Sequence, residues 1–133
     1  MKNGGEYEEY ANKFLKGIRV GEVQENRDIE TKTTYYEVKG ACLQQKGGRT
    51  QMRLSKYQII IANHRMLKEE AVRDGKKAKY VFVLRIGSRY IWKVFSWIGV
   101  DIFISANGMH INAKSKMKGI VEKRVVLKVR DIW

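Results

Sequence analysis

A chain of 133 residues with 44% apolar and 11% aromatic side chains can build one buried core and is too apolar to be disordered. Its 27 basic against 14 acidic residues leave a formal charge of +13, which favours a polyanion as partner, nucleic acid before anionic membranes or acidic proteins. A single cysteine, Cys42, excludes an internal disulfide and predicts a reducing, cytoplasmic setting, and the lack of an 18-residue apolar run or leader pattern predicts neither membrane span nor export.

Taken in order, residues 1–5 predict a loose end, because two glycines and no apolar anchor leave little to hold them. From Glu6 the apolar positions Tyr7, Tyr10, Ala11, Phe14, Leu15 and Ile18 keep helical spacing, with acids in the first turns and Gly17 and Gly21 as stops. Residues 20–25 and 28–40 read as two strands around a polar turn at 25–28, and a tighter hairpin turning at Glu30-Thr31-Lys32 fits equally well. After a glycine-bearing connection at 44–49, Ser55-Lys56-Tyr57-Gln58 fits a capping box that opens a helix ending at Asp74-Gly75.

The run Tyr80-Val81-Phe82-Val83-Leu84 is apolar on both faces, the pattern of a central strand. Tyr90–Ile98 satisfies both helical and strand patterns, whereas Val100–Ile104 reads as a strand with a hairpin turn at Asn107-Gly108. Val121, Val125, Leu127 and Val129 alternate with charged residues, predicting a half-buried strand with a largely basic outer face. No repeat or linker divides the chain, so residues 1–133 form one expected domain.

The chemistry centres on Thr34-Tyr35-Tyr36-Glu37-Val38-Lys39-Gly40. In a strand Glu37 and Lys39 share a face, about 7 Å apart, while Tyr36 and Val38 point into the other layer. A carboxylate that holds a divalent metal, next to a lysine that steers water or offsets developing charge, suits phosphodiester hydrolysis. An E-x-K triplet alone is more often a solvated pair, so its context matters.

With Tyr36-Glu37-Val38-Lys39-Gly40, Arg53-Leu54-Ser55-Lys56-Tyr57-Gln58 and Tyr80–Arg85 in this order, the chain resembles the PD-(D/E)xK nuclease superfamily, and within it small Holliday-junction-resolvase-like nucleases. The resemblance spans residues 6–86 and implies an α/β (α+β), restriction-endonuclease-like fold, a mixed central sheet flanked by helices, with residues 87–133 adding C-terminal strands. It implies Mg²⁺ or Mn²⁺ as cofactor, DNA as substrate and, for a symmetric junction, a homodimer. It also implies roles: Glu37 as metal ligand, Lys39 beside the attacking water, Gln58 facing the site from a helix start, and an upstream acid as second ligand. The family's proline is missing, since the chain has none, and the upstream acid is one of Glu22, Glu25, Asp28 and Glu30. Asp28 is chosen, as the only aspartate between the first helix and Glu37. Glu9 matches the further helical acid of some relatives, though compensation of the helix dipole explains it too.

Lys46, Arg49, Arg53 and Lys56, with Lys76, Lys77 and Lys79, are the expected phosphate contacts. His64 and His110 lack zinc spacing, Cys42 lacks a nearby base, and Gly47-Gly48 lacks the ending of a phosphate loop. Two other functions fit the sequence. One is a non-catalytic nucleic-acid-binding module that uses the basic final strand, and the other is an assembly protein docking through Tyr90–Trp97.

Overall fold

The computed structural model describes residues 4–21, 24, 26–43, 45–46, 49–50, 56–114 and 121–133, of which 4, 45–46, 49–50 and 113–114 are described by main chain alone. Helix α1 (Gly4–Leu15) follows the predicted spacing from Tyr7 to Leu15, but it starts at Gly4, inside the expected loose end, and stops before Ile18, which is exposed in a strand; it buries Tyr7 and Ala11 against Ile29, Val38, Val81 and Val83. It ends with Lys16 in the left-handed region (φ 53°) and with Asn12 exchanging hydrogen bonds with Gly17 in place of a further turn. The close seat of α1 needs Gly40, where an added Cβ would stand 2.1 Å from the Tyr7 ring.

Of the two arrangements open for residues 20–40, the tighter hairpin is the one formed. Strand β1 (Ile18–Arg19) pairs with β2 (Ile29–Glu30), which turns through residues 31–33 into the long β3 (Thr34–Leu43). The Thr31 hydroxyl accepts from the Thr34 amide at 3.1 Å and closes the turn. Short β4 (Gln45–Lys46) and β5 (Arg49–Thr50) pair with each other, and β6 (Lys56–Ile60) leads into α2 (Ile61–Arg73). Helix α2 then crosses to β7 (Lys77–Ile86), which lies parallel to β3 along its whole length, and β8 (Arg89–Ser96) returns antiparallel to β7. The result is a mixed five-stranded sheet in the order β1-β2-β3-β7-β8. As its two-sided apolar run predicts, β7 is central, with Tyr80 to Leu84 each no more than 1% exposed.

Three expectations change downstream. Val100–Ile104 is not a strand but the middle of α3 (Trp97–Asn107). The Ser96 hydroxyl caps this helix by accepting from the Gly99 amide at 3.0 Å, and Val100 and Ile104 bury one face, so cap and packing decide a run whose composition suits either period. Asn107-Gly108 is therefore a helix end, not a hairpin turn: the Gly108 amide donates to Ile104 O at 2.9 Å, and the space a Cβ would need is filled by Val125. Lastly, α2 starts at Ile61 rather than at the expected capping box. Residues 56–60 are drawn into a second sheet, β6-β10-β9, formed with β9 (Met109–Lys114) and β10 (Val121–Lys128), and α4 (Val129–Ile132) closes the described chain.

The architecture is thus mixed α+β, a mixed central sheet with helices and a smaller antiparallel sheet. Tyr57, Ile59 and Leu127 of the second sheet share a core with Leu67 of α2, with Tyr80, Phe82 and Leu84 of β7 and with Val100 and Ile104 of α3. The segment after residue 86 therefore contributes two helices as well as strands, and it completes the core. Among the described residues no helix is long and apolar enough to cross a membrane.

Candidate functional site

The hairpin register carries Asp28 to Glu37. The Asp28 amide donates to Tyr36 O at 2.8 Å, the last rung of the ladder, and its carboxylate then accepts from the Val38 amide at 2.8 Å where β2 has left β3. A side chain thus satisfies a strand donor that has lost its partner. Asp28 and the 7% exposed Glu37 are hydrogen-bonded carboxyl to carboxyl. Glu8 of α1 reaches Asp28 from the other side and also pairs with Arg19 at 3.3 Å. Gly21 backs the junction, since a Cβ there would lie 3.0 Å from Asp28 Oδ1 and 3.1 Å from Glu8 Oε1.

Burial first, and then the neighbouring Glu37, push the Asp28 carboxyl up to about 8, against the pull of the Val38 amide and Glu8. Burial, followed by Asp28, raises Glu8 to about 7 despite Arg19. At neutral pH the cluster therefore keeps protons where fully ionised acids would repel one another. Among the described residues no three His, Cys, Asp or Glu side chains gather on a common point, so these acids form a chain with Asp28 in the middle. The donors nevertheless suit a hard divalent cation, because they are all carboxylate oxygens and a proton held between two acids is what a cation can displace. Lys39 follows Glu37 on the same face of β3, half-buried, and makes no ion pair among the described residues.

The hairpin itself is clamped. Buried Arg27 bonds Glu30 at 2.5 Å, pairs with Glu70 of α2 and lies 4.1 Å over the Tyr35 ring, while Asn26 donates to Glu70 at 3.0 Å. At the end of α2, the Tyr35 hydroxyl donates to Asp74 at 2.5 Å and the Lys76 ammonium to Thr31 O at 3.0 Å. On the Glu37 side, Tyr80 stands in register with Glu37 on β7 and begins a second polar chain. Its hydroxyl is 2.7 Å from His64 Nδ1, and His64 Nε2 is 3.0 Å from Asp101. The His64 ring stacks on Trp97 at 4.3 Å, and burial, offset by Asp101, lowers its pKa. A neutral imidazole with Nε2 protonated satisfies both contacts.

Several expected site residues fall elsewhere. Gln58 is an exposed β6 residue in register with Val126, and its Oε1 accepts from Arg124 at 3.1 Å, so it neither starts a helix nor faces the acids. Glu30 is engaged by Arg27, which removes it from the choice of second acid, and Glu22 and Glu25 lie outside the described residues. Glu9 is exposed and points away, and the helical acid of the cluster is Glu8. The helical wheel carried that signal: Glu9 lies on the exposed side of α1, whereas Glu8, three residues before buried Ala11, shares its flank. Lys56 is exposed at the start of β6. The side chains of Lys46 and Arg49, and all of Arg53, lie outside the described residues. The basic face expected on β10 is partly occupied, as Arg124 bonds both Glu122 and Gln58. His110 is exposed on β9. Comparison with family models, curated proteins and solved structures finds no match for this chain.

Proposed function

We propose that this chain is a metal-dependent endonuclease that hydrolyses phosphodiester bonds in DNA, built on a restriction-endonuclease-like variant of the mixed sheet. The observation that carries the reading is the meeting of Asp28, just ahead of β2, with Glu37 of β3, with Lys39 next along the same face of β3. The parallel β3/β7 pair with α2 crossing between them supports it as the scaffold. Asp28 and Glu37, with Glu8 alongside, would hold Mg²⁺ or Mn²⁺, whose chemistry is to acidify a bound water and offset phosphate charge. With a cation bound, Asp28 would have released its proton to solvent, and the Lys39 ammonium would orient the nucleophile or neutralise charge on the phosphate in the transition state. The formal charge of +13 supplies the attraction that brings DNA to the acids.

The test is cleavage of supercoiled and branched DNA with Mg²⁺ or Mn²⁺. Glu37→Ala, Asp28→Ala and Lys39→Ala are each expected to lower the rate at least about a hundredfold while DNA binding in chelator persists. Salt-sensitive binding with no cleavage in either ion would replace this reading with that of a non-catalytic binding module.

A further inference from the structure

Across the α1-facing side of the main sheet runs a strip that the acid cluster does not use. At the β8 edge, aromatic rings from α1 and β8 form a ladder: Tyr10 stacks on Tyr90 at 4.7 Å and Phe14 on Trp92 at 4.6 Å. Trp92 remains 46% exposed and Val94, next on the same face, 43%. Register extends the strip inward, with Ser96 of β8 opposite Lys79 of β7, and Lys79 opposite Tyr36 of β3. The half-buried Tyr36 side chain packs on the α1 side, opposite to Glu37 and Lys39, and its carbonyl accepts the Asp28 amide, so the strip ends at the sheet edge next to the Asp28 main chain. Exposed Lys13 lies on the α1 turn between Tyr10 and Phe14, and neither Lys13 nor Lys79 makes an ion pair among the described residues.

We propose that this strip binds an unpaired nucleic-acid strand, with bases on Trp92 and Tyr36 and phosphates on Lys13 and Lys79. The inference rests on the nucleic-acid reading of the site. Open aromatic surface interleaved with unpaired lysines matches a single strand, whose bases expose their faces, and not a duplex, whose base faces are already stacked. The lysines also speak against an apolar protein partner, because burying unpaired ammonium groups is costly.

Binding is measured in EDTA by fluorescence polarisation, with oligothymidine, oligouridine and a blunt duplex of equal length, so that no cleavage is required. The wild-type chain is expected to prefer the single strands, and Trp92→Ala to weaken oligothymidine about tenfold while leaving the duplex unchanged. Trp92→Phe, which keeps an aromatic ring against Phe14, should retain most of the affinity but lose the Trp92 share of the tryptophan quenching expected on binding. Lys13→Gln and Lys79→Gln should each reduce the salt dependence. Equal dependence of oligouridine on Trp92 supports the proposal, since stacking does not read the sugar. Unchanged oligothymidine affinity in folded Trp92→Ala overturns it, as does equal weakening of duplex and single strand. A Trp92→Ala effect on self-association alone would make the patch a protein contact and also overturn it. Failure here with Glu37-dependent cleavage intact removes the strip and leaves the nuclease reading standing. Loss of cleavage with Trp92-dependent binding intact does the reverse.

Discussion

At Asp28, burial and a like-charged neighbour act in the same direction, and the consequence is a pH-dependent fold. The group's pKa is near 3.8 when unfolded and about 8 when folded, so between those values the native state holds a proton that the unfolded chain has lost. Stability contributed by this group therefore falls as pH rises through that window, by at most about 1.4 kcal/mol per pH unit. Glu8, raised to about 7, acts with the same sign. His64 acts with the opposite sign, because burial lowers its pKa and its contribution is lost in acid. Comparing Asp28→Asn with wild type isolates the first effect. In EDTA the variant should melt increasingly above wild type from pH 5 to pH 8, and Mg²⁺ at pH 8 should raise the melting temperature of wild type alone. A melting difference that is flat with pH would mean Asp28 is ionised in the fold. A divalent cation bound as proposed would have to displace protons, so its apparent affinity should also rise with pH up to about 8, which calorimetry in buffers of different ionisation enthalpy can follow.

At the scale of elements, the site depends on how the β2–β3 hairpin is held against α2. Arg27 is buried with Glu30 and Glu70 as partners, and removing one partner of such a pair leaves a charge in a poor solvent. Glu70→Ala should cost about 3 kcal/mol in urea unfolding. It should also slow cleavage, since Asp28 follows Arg27 in the chain. An unchanged urea midpoint would show that Arg27 is adequately served by Glu30 alone. Elements with a strong period were legible: α1 from its apolar spacing, β7 from an unbroken apolar run, and β10 as a strand, although Val121 is exposed, Val126 is buried between Val125 and Leu127, and Val129 opens α4 instead of continuing the alternation. The run 97–104 was not, because nearly every residue in it is apolar and both periods fit, so Ser96 as cap and the packing of Val100 and Ile104 decided. Gln58 was misplaced for a related reason. A capping pattern is local, and pairing of β6 with β10, about 66 residues away, outweighed it.

For the whole molecule, charge and topology set separate properties. The excess of +13 makes association with any polyanion salt-dependent, and a plot of log affinity against log salt should be linear and steep. Replacing exposed Lys56 with Gln should reduce the slope by about one if it meets a phosphate, and an unchanged slope would exclude it from the contact. In chelator, Glu37→Gln should bind DNA at least as tightly as wild type, because it removes a negative charge from the path of the phosphates.

Sequence alone determined that Glu37 and Lys39 share one face of a strand, that a buried strand follows a crossover helix, and that the chain is strongly basic, because these follow from short-range periodicity and simple counting. Only the tertiary structure decided which acids join the cluster: Asp28 and not Glu30 meets Glu37, and Glu8 and not Glu9 meets Asp28. Strand register and the rotation of a docked helix are set by contacts between residues far apart in the chain, and no local pattern encodes them.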